Sequence, residues 1–82
     1  MKNSTKIELQ GICQQIQLLA YDVLAIAKDK ELADNADLKE LAEKTCGAAR
    51  SAYTLAKYKA NDEETAKRLA TCYSKLLYKF DL

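Results

Sequence analysis

Residues 9–27 constrain this chain more than any other part, because their apolar side chains recur at helical spacing on two sides of one cylinder. Leu9, Ile12, Ile16, Leu19, Ala20, Val23 and Ala27 form one stripe, with Cys13 and Leu24 on its flank. Ile7, Gly11, Leu18, Tyr21 and Ala25 form a second stripe that points the other way. A small helical bundle can bury the first stripe. The second calls for another partner.

The remaining sequence agrees with helix. The chain has 82 residues, no proline and two glycines, and Ala, Leu and Lys dominate it. This length makes one domain. Such a domain buries about 60–65% of the surface that its unfolded chain exposes, so good packing or oligomerisation must supply stability. The expected fold is all-α: an up-down-up antiparallel three-helix bundle, oligomeric through its long first helix, with helices at about 5–29, 36–59 and 62–80.

Local signals set those boundaries. Thr5 and Glu8 have capping-box spacing for helix 1, and Lys28 and Lys30 suit its C-terminal dipole. Helix 2 opens near Asp37 and Glu40, with Asn35 competing for the cap position. Its expected core stripe is Leu38, Leu41, Ala42, Thr45, Ala48, Ala49, Ala52, Leu55 and Ala56, and its small middle (Cys46, Gly47, Ala48, Ala49) lets a neighbouring helix come close. Asn61, followed by Asp62, Glu63 and Glu64, reads as the N-cap of helix 3. The turn before it is short, which makes helices 2 and 3 antiparallel neighbours. Helix 3 carries the cleanest stripe: Ala66, Leu69, Ala70, Tyr73, Leu76, Leu77 and Phe80.

Catalytic chemistry finds little to work with. The chain has no histidine, hence none of the commonest general bases, nucleophile partners or transition-metal ligands. Gly11 and Gly47 stand alone inside helices and form no phosphate loop. Cys13, Cys46 and Cys72 lack CxxC spacing. Cys46 and Cys72 fall at one level of an up-down-up bundle and Cys13 about two turns away, so the three read as small core residues and not as a metal or redox site. Asp37, Glu40 and Glu43 share one face of helix 2, but a di-metal bundle site needs inward-facing Glu with Glu-x-x-His. The expectation is a non-enzyme with no cofactor and no metal. An odd number of cysteines and no apolar leader or membrane segment point to the cytoplasm.

Two surfaces remain as candidates for binding. The back of helix 1, Ile7, Gly11, Gln14, Leu18, Tyr21 and Ala25, has alternating spacings of four and three, the seam of a helix packing against a helix. Gly11 there costs about 1 kcal/mol relative to Ala, which a close-approaching second backbone would explain. Cover by helix 3 or the first loop would serve as well. The second surface is basic: Lys67, Arg68, Thr71, Lys75, Tyr78 and Lys79 on the outside of helix 3, with Arg50 and Lys57 from helix 2. These types can hold phosphate oxygens and stack a base, although they also serve simply as a solvated face. Residues 1–43 hold five Lys against eight Asp/Glu, a balance of −3, and residues 44–82 hold eight Lys/Arg against four acids, +4. Copies could therefore meet acidic half to basic half. The leading expectation is a small non-catalytic adaptor, regulator or inhibitor that self-associates through helix 1 and binds a macromolecular partner. The alternative is a binder of an anionic ligand, nucleotide or nucleic acid, on the basic face.

Overall fold

The computed structural model describes residues 1–82 and is an all-α bundle. It contains α1 (Asn3–Ile26), α2 (Ala36–Thr54), a π-helical turn continuing α2 (Leu55–Lys59) and α3 (Glu63–Phe80), with no strand. Each helix packs on the other two, and the molecule measures 45 × 18 × 16 Å. No helix is long and apolar enough to cross a membrane.

The helix ends differ from the sequence expectation in three places. First, α1 starts at Asn3, so Thr5 lies inside the helix, and its N-cap position, Lys2, makes no side-chain cap bond. The Thr5–Glu8 capping box does not form. Second, α1 stops at Ile26, short of Lys28 and Lys30. The chain turns there because the Asp29 side chain accepts the backbone N–H of Glu31 at 2.8 Å, an Asx turn that competes with further helix. Third, Asn61 is not the cap of α3. It sits at φ 53°, the left-handed conformation that Asn tolerates after a helix end. The preceding turn has widened, with the Ala60 N–H donating to Leu55 O and the Asp62 N–H to Ala56 O. Capping passes to Asp62, whose carboxylate accepts from Thr65 N at 3.2 Å and Thr65 Oγ1 at 2.7 Å. At α2 the competition between Asn35 and Asp37 goes to Asn35, whose side chain accepts from Asp37 N and Leu38 N.

Small residues fill the core. Seventeen residues are buried, and eight of them are alanine: Ala20, Ala27, Ala42, Ala49, Ala52, Ala56, Ala60 and Ala66. The largest side chains fully enclosed are Leu69, Leu76 and Val23. Thr45, the one buried polar residue, donates its hydroxyl to Leu41 O at 2.7 Å, so its burial leaves no orphan. α3 buries Ala66, Leu69, Leu76 and Phe80 of its expected stripe and leaves Ala70, Tyr73 and Leu77 half-buried, with Cys72 buried at its centre. The other two stripes are overturned in part. Ile12 (52% exposed) and Leu19 (44%) on α1, and Leu41 (41%), Leu55 (46%) and Ala48 on α2, lie outside the core. Two neighbours cannot cover stripes as wide as these, and alanines at the contact draw the axes together over a narrow strip.

Candidate interaction surfaces

The back of α1 is exposed along its whole length, but it is not one uniform seam. Ile7, Gly11 and Gln14 border an open groove of about 580 Å³ between α1 and α3, which also takes in Gln10, Asp62 and Arg68. Leu18 and Ala25 face outward with no cover. Tyr21 is engaged within the chain, with Lys75 Nζ of α3 lying 5.1 Å from its ring centre. Neither glycine is explained by crowding inside the chain: a Cβ built on Gly11 or Gly47 meets nothing within 4 Å.

At the groove's end Asp62 joins three elements. It caps α3, its backbone N–H closes the turn after α2, and its Oδ2 accepts from Gln10 Nε2 of α1 at 2.8 Å. The Gln10 and Thr65 hydrogen bonds hold its carboxyl well below the usual carboxylate range, at about 2.

The basic set is divided. Arg68 pairs with Glu64 one turn earlier at 2.7 Å, and Lys75 turns to Tyr21. Lys57 donates to Tyr53 Oη at 3.1 Å and lies 5.6 Å from the Tyr58 ring centre. The Tyr53 bond and neighbouring phenols push the Lys57 ammonium pKa up. Thr71 donates its hydroxyl to Lys67 O. Arg50, Lys67, Tyr78 and Lys79 are exposed, Tyr78 by 91%. Lys57, Arg68 and Lys75 thus each have a partner within the chain.

Cys13, Cys46 and Cys72 are free and buried. Cys46 Sγ donates to Tyr73 O at 3.7 Å and Cys72 Sγ to Leu69 O at 3.2 Å. Burial pushes all three thiol pKa values up, so the thiolate that nucleophilic or metal chemistry needs is disfavoured. No group of three or more Cys, Asp or Glu is placed to hold a metal ion.

One surface escaped the sequence analysis. Ile12, Leu19 and Ile26 (44% exposed) recur at seven-residue spacing on α1, and Leu41, Ala48 and Leu55 do the same on α2. On the helical wheel of α1, the first set lies opposite Gln10 and Tyr21, the residues that reach α3. On α2, the second set lies well away from Cys46 and Tyr53, which reach Tyr73 of α3. Both sets therefore flank the α1–α2 junction on the side away from α3. The signal is present in the sequence as heptad spacing, but Ile12, Leu19, Leu41, Ala48 and Leu55 read there as core, and Ile26 belongs to neither stripe.

The chain matches no protein-family model, no curated protein and no solved structure.

Proposed function

We propose that this chain is a small non-catalytic interaction protein, an adaptor, regulator or inhibitor, which self-associates and then binds a macromolecular partner. One observation carries the reading: the small apolar residues are inside and many large ones outside. Ile7, Ile12, Leu18, Leu19 and Ile26 of α1 are all exposed, whereas the buried set is rich in alanine. Exposure of this many large apolar side chains on so small a domain marks association.

The proposal includes an up-down-up helix order. Gln10 bonded to Asp62 and Tyr21 under Lys75 support α1 and α3 running side by side. Cys46 and Tyr53 both reaching Tyr73, together with the short turn after α2, support α2 running against them. It also includes a reducing, cytoplasmic setting, supported by three free thiols sealed in the core. Anion binding has less behind it, since Lys57, Arg68 and Lys75 are each engaged internally.

Light scattering over a concentration series tests the reading. Self-association gives a mass above 9.2 kDa that rises with concentration. A monomer throughout, with salt-sensitive retention on heparin, would replace this reading with the anionic-ligand one.

A further inference from the structure

We infer that the open side of the α1–α2 pair is the self-association surface, and that two copies meet there with α1 of one lying along α2 of the other. This rests on the self-association proposed above and names its surface and its arrangement.

The two apolar rows are in register. Gln10 is level with Asp62 and Tyr21 with Lys75 along α1 and α3. Tyr73 is level with the Cys46–Tyr53 segment of α2. Through this ladder Ile12 falls beside Leu55, Leu19 beside Ala48 and Ile26 beside Leu41, within about one helical turn. Each copy so presents three rungs, with the small Ala48 at the middle opposite Leu19. A two-fold axis parallel to the helices places the partner's α2 on α1 at the same levels. The partner's Ala48 then leaves room for Leu19, and both copies make the contact equally.

The charges beside the rows complement each other in this arrangement. Glu8, Gln15 and Asp22 border the row of α1, and Lys59, Ser51 and Lys44 border that of α2 at the corresponding levels. Across the axis Glu8 meets the partner's Lys59, Gln15 meets the partner's Ser51, and Asp22 meets the partner's Lys44. Lys44 now holds Glu40 at 3.5 Å, an exposed pair that is easily exchanged.

The test compares masses of full-length variants by light scattering, with helical content checked by circular dichroism. The inference expects two chain masses for the wild type, one for Leu19→Glu and for Ala48→Glu, and still two for Leu18→Glu. Asp22→Lys and Lys44→Asp, both at exposed positions, each weaken the pair by about tenfold, because each contact occurs twice. Combining them restores it. A pair broken by Leu18→Glu but not by Leu19→Glu overturns the inference while leaving self-association standing, since the back of α1 would then be the surface. Charge variants that do not rescue each other overturn the α1-on-α2 arrangement. A wild-type monomer at every concentration overturns both the inference and the reading beneath it.

Discussion

α1 and α3 use apolar residues in opposite ways. α3 buries five of its 18 residues, among them Leu69, Leu76 and Phe80, and turns Lys67 and Lys79 outward. α1 is longer, 24 residues, yet buries only Cys13, Ala20 and Val23, while five of its Ile and Leu side chains stay in solvent. The bundle completes α3 and leaves α1 with apolar surface to spare. A helix of the α3 kind stabilises the domain, whereas one of the α1 kind offers a surface to something else.

Truncation breaks the comparison most sharply. Leu76→Ala, at a site with no exposure, is expected to lose about 2–5 kcal/mol in urea unfolding. Leu18→Ala on α1 should stay within about 0.5 kcal/mol. Equal losses would mean that α1 is as deeply packed as α3. Next comes the tie between the two helices. Asp62→Ala removes the cap of α3 and the acceptor for Gln10, with an expected loss of about 1–2 kcal/mol at neutral pH. The acid limb carries the same information. The carboxyl of Asp62 lies at about 2 in the folded chain against an ordinary 3.8. Its contribution is therefore full above the ordinary value and disappears as pH falls through about 2. Asp62→Asn should flatten stability between pH 4 and 2 relative to the wild type. An unchanged acid limb would remove Asp62 from the account.

The smallest effects concern the glycines. Gly11→Ala and Gly47→Ala should each raise the thermal midpoint, by a stabilisation of up to about 1 kcal/mol, since helix propensity improves and the new methyl meets open space. A substitution that instead weakens self-association would show that a second chain approaches at that glycine.

The sequence disclosed these regions unequally. The stripe of α3 was legible because its width matches what two neighbours can cover. The stripes of α1 and α2 were read too broadly: periodicity shows which residues share a face, but not how many neighbours that face has. Ile12, Leu19, Leu41 and Leu55 were misplaced for that reason. Asn61 was misplaced because Asn suits both the end of one helix and the start of the next. The π-helical widening that decided between them depends on i→i−5 bonds that no residue type announces. Of the candidate surfaces, the exposure of Leu18 and Ala25 followed from their spacing. The capture of Lys75 by Tyr21 did not, since it joins residues far apart in the chain.

Asp62 makes the order of assembly matter. The cap of α3 closes between Asp62 and Thr65, three positions apart, but α1 reaches this hub from 52 positions away. The local contact closes the smaller loop and so costs less chain entropy than the one with Gln10. If α1 later peels away at its N-terminal end, the start of α3 keeps its own cap and loses only the bond to Gln10. The hub is therefore asymmetric: breaking the Gln10 bond leaves the cap of α3 in place, whereas losing the Asp62 carboxylate removes the cap and the tie to α1 together.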